Sequence, residues 1–161
     1  VISAQALEAQ KIANAFGTVP SRVKDFAPMV NEIIERLAIE ELLDYGCGRG
    51  GLAALVKAPH AVTLQLYDPA LEEYAGSPVP MQMVVCIDVL QHVEAEFRDA
   101  VLDDLARLCG AVLFVAIGTG ELSPEEWFDR LASRFEVQTF QRTGERECYV
   151  LAHRRSWVNG D

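Results

Sequence analysis

Leu42-Leu43-Asp44-Tyr45-Gly46-Cys47-Gly48-Arg49-Gly50-Gly51-Leu52-Ala53 is the stretch on which the reading of the chain turns. An apolar run ends in an acid, a glycine-rich turn follows, and an apolar, helix-favouring segment occupies residues 52–57. That order reads as strand, tight loop, helix. Glycines let the backbone turn sharply and let a ligand approach main-chain N–H groups with no Cβ in the way. A helix starting there presents unpaired N–H groups and its positive dipole end to an anionic or polar ligand. A plain surface turn leaves the glycine spacing unexplained.

Two ligand classes use such a turn. Gly46, Gly48 and Gly51 satisfy G-x-G-x-x-G, the dinucleotide fingerprint. Asp68 lies about twenty residues on, where a ribose-binding acid is expected, and both ligand classes carry a ribose. The residue before the glycines separates them. Asp44, Gly46, Gly48 and Gly50 form D-x-G-x-G-x-G, with a carboxylate at the mouth of the strand. A pyrophosphate is repelled by that charge at close range, whereas a ligand with an ammonium and a sulfonium tolerates it. Here the chain resembles the class I S-adenosylmethionine-dependent methyltransferases. The resemblance implies that Asp44, Gly46, Cys47, Gly48 and Gly50 hold the methionine part of the cofactor, with Asp68 and the adjacent Pro69 at its ribose. For Asp68 the competing role is a helix N-cap.

At 161 residues the chain has the length of one domain with a sizeable core. Residues 1–39 read as N-terminal helices, 40–153 as a Rossmann-like core and 154–161 as a tail. No apolar run approaches the roughly 20 residues of a membrane helix, and the first residues lack the basic and apolar regions of a signal peptide. A net charge of −10 argues against unaided binding to nucleic acid. Cys47, Cys86, Cys109 and Cys148 are far apart and form no C-x-x-C pair, which fits reduced thiols in a cytoplasmic protein and no metal site.

Residues 3–15 favour helix and 17–20 end it. Ser21 is a candidate cap for a second helix over 22–38, with Phe26, Val30, Ile33, Ile34 and Leu37 on one face and Pro28 as a possible kink point. Residues 41–45 and 61–67 read as the first two strands, the second alternating Val62, Leu64 and Leu66 with Thr63 and Gln65. An acid such as Asp68, at the end of a parallel strand, faces the crevice where ligands bind in open α/β sheets.

Only about a dozen residues, 71–81, then precede the next apolar run, and Pro78 and Pro80 interrupt them. A methyltransferase usually places a helix, a third strand and an adenine-binding acid there. The third strand is therefore expected to be missing or vestigial, with that sheet edge shortened and open to pairing in a homodimer.

Residues 81–88 read as a buried central strand. The run Asp88-Val89-Leu90-Gln91-His92-Val93 resembles the stretch after strand four of many small-molecule methyltransferases. That resemblance puts the main chain near Cys86 and Ile87 against the methionine end of the cofactor. It makes His92 a candidate proton acceptor, aided by Asp88, although packing or capping of the next helix is the rival role for His92. Gln91 stands where Glu is common.

An amphipathic helix over 94–108 stopped by Gly110, a strand over 111–117 and a loop over 118–121 follow. In that loop Thr119 and Glu121 are candidate acceptor contacts. Ser123-Pro124-Glu125-Glu126 has capping-box spacing with Pro at the first helical position. Strands over 136–142 and 147–152, joined by a short Gly-containing link, close the sheet as an antiparallel hairpin.

The expected architecture is thus a doubly wound α/β three-layer sandwich, mostly parallel and ending in an antiparallel hairpin. The expected function is methyl transfer from S-adenosylmethionine to O, N or C of a small or medium acceptor. A cofactor-binding partner without catalytic power is a second reading, and an NAD-dependent oxidoreductase a third.

Overall fold

The structure, a computed structural model, describes residues 21–155 together with Ala4. The expected helix over 3–15, its break at 17–20 and the end of the tail at 156–161 lie outside the described residues, as does the Ser21 side chain.

Among the described residues six strands form one sheet: β1 (Glu41–Tyr45), β2 (Thr63–Tyr67), β3 (Met81–Ile87), β4 (Cys109–Ile117), β5 (Phe135–Gly144) and β6 (Glu147–Arg154). Their spatial order is β2-β1-β3-β4-β6-β5. The first four are mutually parallel, and β6 runs antiparallel to both β4 and β5. Between β2 and β3 the chain makes only a single 3-10 turn, Glu72–Tyr74. The third strand is absent, as the short interval and its prolines predict, and β2 is left at the edge.

Strand alternation sends successive side chains to opposite faces. On one face Leu42, Met83, Val85, Ile87, Val112, Phe114 and Ala116 pack beneath α1 (Ser21–Arg36), which contributes Phe26, Val30, Ile33 and Ile34. On the other, Leu43, Val84, Cys86, Leu113 and Val115 meet α2 (Arg98–Leu108) and α3 (Pro124–Ala132). These are three layers, doubly wound. Pro28 sits inside α1 without ending it. Leu37 falls beyond the helix and is 43% exposed rather than part of the buried face.

Four local expectations are corrected. The segment after the glycine loop forms one 3-10 turn, Ala53–Leu55, instead of an α-helix. It is too short to repay helix nucleation. The Asn31 side chain of α1 also takes the Leu55 carbonyl (3.0 Å) and the Lys57 N–H (2.9 Å), groups that helical continuation would have used. Strand β2 starts at Thr63, two residues late, and its alternation is lost because Leu64 is 36% exposed on the uncovered edge. The helix expected over 94–108 begins as a 3-10 turn, Ala95–Phe97, before α2 proper. Gly110 does not stop that helix. It lies inside β4, where a Cβ would stand 2.8 Å from the Met81 carbonyl oxygen, so its lack of a side chain serves strand approach.

The α3 cap is formed as its spacing predicts. Ser123 N–H donates to Glu126 Oε2 at 2.7 Å, and Glu126 N–H donates to Ser123 Oγ at 3.2 Å. Trp127 and Leu131 are buried from that helix, and Phe128 packs on Phe140.

Candidate functional site

The site is built at the C-terminal ends of β1, β2, β3 and β4, where ligands bind in open α/β sheets. Gly46, Gly48 and Gly50 all have positive φ (79°, 53° and 81°). Gly51 does not share that conformation. The left-handed demand therefore follows the D-x-G-x-G-x-G spacing and not G-x-G-x-x-G.

The loop's donors are largely spent inside the protein. Gly46 N–H and Cys47 N–H both donate to the Tyr67 carbonyl, at 2.8 and 3.0 Å. Gly48 N–H donates to Asp68 Oδ2 at 2.9 Å, and Gly50 N–H to the Cys47 carbonyl at 3.0 Å. With no α-helix after the loop, there is no helix dipole aimed at a ligand either. The N–H groups of a phosphate cradle are not on offer at these positions, contrary to the expectation of free donors.

What the loop offers is negative charge. Asp44 lies in register between Leu66 and Val85 and is 5% exposed. Its carboxylate has no hydrogen-bond partner among the described residues. Burial, and then the charge of Asp68, push that carboxyl up to about 7. A buried carboxylate in this state is stabilised by an incoming cation.

Asp68 is 2% exposed. Besides accepting from Gly48, it accepts the Ala70 N–H on Oδ1 at 2.9 Å, across Pro69. This is a turn-closing bond and not a helix cap, since the 3-10 turn that follows begins after Leu71 with no side-chain cap, and each oxygen retains a second lone pair. Cys47 and Cys86 are buried, and burial raises both thiols well above their ordinary range. They present main chain and bulk, not reactive sulfur.

The far end of the crevice starts where β3 stops. Ile87 is buried, and Asp88 takes a left-handed backbone, φ 60°. Such a conformation is uncommon outside glycine, and aspartate tolerates it better than most residues. Asp88 N–H donates to the Ala116 carbonyl at 2.9 Å, which fixes the turn. Its Oδ1 accepts from Gln91 Nε2 at 3.1 Å and lies 3.3 Å from Arg22 Nε. Arg22 Nη1 is 3.4 Å from Glu147 Oε1, which also accepts from Thr119 Oγ1 at 3.3 Å. Gly118 makes room for this cluster, since a Cβ there would stand 2.7 Å from Gln91 Nε2.

The candidate site residues therefore divide. Asp44, Gly46, Cys47, Gly48, Gly50, Asp68 and Pro69 share the loop end, while Cys86, Ile87 and Asp88 run along β3 to the polar cluster. His92 is on the 3-10 turn Leu90–His92, exposed, with no side-chain partner among the described residues. Its neighbour Gln91 turns inward. A glutamate there would set one carboxylate against another, which accounts for the neutral amide. Glu121 points away, pairing with the buried Arg98 at 2.7 Å.

Arg22 and Glu147 were not found from sequence. They lie on α1 and β6, far apart in the chain, and no local motif marks either one.

Solved structures share this architecture. Magnesium protoporphyrin IX methyltransferase from Synechocystis, with bound S-adenosylmethionine, is 17% identical, with 83% of this chain and 78% of that chain covered and a TM-score of 0.59. The N-methyltransferase NodS from Bradyrhizobium japonicum, in complex with S-adenosylhomocysteine, is 12% identical, with 94% and 97% covered and a TM-score of 0.62. The chain has the class I methyltransferase fold. The (4+2)-cyclase SpnF is similar as well, at 13% identity, 80% of each chain and a TM-score of 0.53. The methyltransferase fold alone therefore does not specify a reaction. No protein-family model and no curated protein sequence matches the chain. Among the described residues, no helix of this methyltransferase-fold chain is long and apolar enough to cross a membrane.

Proposed function

We propose that the chain binds S-adenosylmethionine and transfers its methyl group to O, N or C of a small or medium acceptor. The observation that carries this reading is Asp44. A buried carboxylate, unpartnered among the described residues and with its carboxyl pushed up to about 7, lies beside a loop whose Gly46 and Gly48 donors are already used. Such a place suits the ammonium of a methionine moiety and repels a pyrophosphate. Asp44 and Gly46 to Gly50 would hold the amino-acid half, Asp68 the ribose hydroxyls, and the main chain of Cys86 and Ile87 the segment leading to the sulfur.

When bound, the cofactor supplies an activated methyl group on a sulfonium. The chain's own residues then mainly orient the acceptor, and alignment of this kind can be worth about 7–11 kcal/mol in favourable cases. Asp88 is the base candidate tied into the site. His92 is the candidate that an acceptor would meet from solvent, where the proton has to leave.

Calorimetric titration with S-adenosylmethionine, S-adenosylhomocysteine and NAD tests the reading. Binding of the two sulfur nucleosides, lost in Asp44→Asn, is expected. Binding of NAD alone would overturn it. Tight cofactor binding with no turnover on any acceptor would favour a non-catalytic partner subunit.

A further inference from the structure

Arg22 sits between two carboxylates, one in the turn after β3 and one on β6. Its Nε is 3.3 Å from Asp88 Oδ1, and its Nη1 is 3.4 Å from Glu147 Oε1. Both separations exceed those of the molecule's tightest ion pairs. Arg142 reaches Glu125 at 2.6 Å, and Arg134 reaches Asp103 at 2.7 Å. Arg22 Nη1 is buried yet makes no hydrogen bond among the described residues. The guanidinium also lies over the Phe26 ring, 5.5 Å from its centroid. Arginine fills this space and bonds poorly within it. Its planar fork is a poor match for two single oxygens on opposite sides, whereas a compact ammonium suits them.

The surroundings favour a ligand that donates. Arg22 at +1 with Asp88 and Glu147 at −1 each leaves −1. Gln91 Oε1 is a buried acceptor with no partner among the described residues. Its amide cannot be reversed without setting that oxygen against Asp88 Oδ1. A carboxylate entering here would meet two like charges. An amine would meet two carboxylates, a free carbonyl oxygen and an aromatic face, all of which attract it.

We propose that Asp88 and Glu147 form an amine-recognition pair, that Arg22 occupies it as a stand-in cation in this structure, and that the methyl acceptor is a primary or secondary amine. This rests on the methyl-transfer reading above and names the substrate class of that site. The bound ammonium first gives one proton to Asp88, which passes it on to water. The freed nitrogen lone pair then forms the N–C bond as the S–C bond breaks, with that bond's electrons left on sulfur, and the product leaves as the methylated ammonium.

The test is a titration of the protein, with and without S-adenosylhomocysteine, by benzylamine and separately by benzoate, read by amide chemical shifts and calorimetry. Benzylamine is expected to bind at least ten-fold more tightly than benzoate and to move the amides of Gln91, Gly118 and Thr119. Arg22→Ala removes the internal competitor and should tighten benzylamine binding several-fold, with Arg22→Gln in its place if the alanine variant does not fold. Glu147→Gln should weaken it several-fold. Benzoate binding as tightly as benzylamine, or Glu147→Gln with unchanged benzylamine affinity, would overturn the proposal. A chain that binds benzylamine at the pair but not S-adenosylhomocysteine loses the methyl-transfer reading and keeps the pair. One that binds S-adenosylhomocysteine but not benzylamine does the reverse.

Discussion

A Cβ on Gly46 would lie 2.3 Å from Val89 Cγ2. The loop after β1 and the turn after β3 therefore meet with no space for one more carbon, and the two halves of the site are in contact. Gly46→Ala combines this clash with a φ of 79°. A loss of about 2–4 kcal/mol in urea unfolding is expected. Adding Val89→Ala should recover about 1–2 kcal/mol, the clash component, and leave the backbone strain. Strict additivity of the two changes would mean that the contact is not felt.

Asp44 gives stability a pH slope of unusual sign. Its carboxyl is about 7 in the folded chain against an ordinary 3.8. Between those values the folded state holds the proton more tightly than the unfolded state, so this group's contribution falls as pH rises. It declines by up to about 1.4 kcal/mol per pH unit from about pH 4 to 7 and is flat above. Asp44→Asn should abolish that component and stabilise the empty protein at pH 8 by about 1–3 kcal/mol. Denaturant melts of both proteins at pH 5 and pH 8 check this.

The same titration should appear in ligand affinity. A cationic ligand prefers ionised Asp44, so S-adenosylmethionine binding should tighten by up to about ten-fold per pH unit below 7 and level off above. Calorimetry in buffers of different ionisation enthalpy would also register proton release near pH 6. A flat profile would remove Asp44 from the ammonium site.

Asp68 binds the loop together through Gly48 and Ala70. Asp68→Ala should cost about 2–4 kcal/mol of stability, from two charge-assisted hydrogen bonds. It should also weaken cofactor binding about ten-fold or more, at 1.4 kcal/mol per decade. Loss of stability with unchanged affinity in the folded fraction would assign Asp68 to the loop alone.

Gln65 guards the open edge of the sheet. Its side-chain amide donates to the Val79 carbonyl at 2.9 Å and accepts the Val79 N–H at 3.0 Å, the pattern of a strand neighbour. Gln65→Leu frees that segment from β2. Concentration-dependent self-association beyond that of the parent is expected in sedimentation, as for other exposed edges. Unchanged sedimentation would show that this clasp does not protect the edge.

Strand positions were legible because apolar runs bounded by glycine, proline and acids carry that signal. The missing third strand could be read from the brevity of 71–81, and the α3 cap from Ser123 and Glu126. The lost helix after the glycine loop was not legible. Its residues favour helix, and the group that draws them away, the Asn31 amide, is 24 residues distant from Leu55. Gly110 misled for a related reason, since its neighbour Met81 belongs to another strand. At the candidate site, the left-handed glycines and the two buried loop acids follow the spacing that singled them out. Arg22 and Glu147 became neighbours only through the tertiary fold.

The connection from β2 to β3 must pass from one end of the sheet to the other without a helix. Thirteen residues, 68–80, reach at most roughly 45 Å when extended, so this strap has slack to spare. At Gly76 nothing lies within 4 Å of where a side chain would start. An epitope tag or a fluorophore spliced in there would meet no neighbouring atom at its root, so the chain carries a ready-made attachment point.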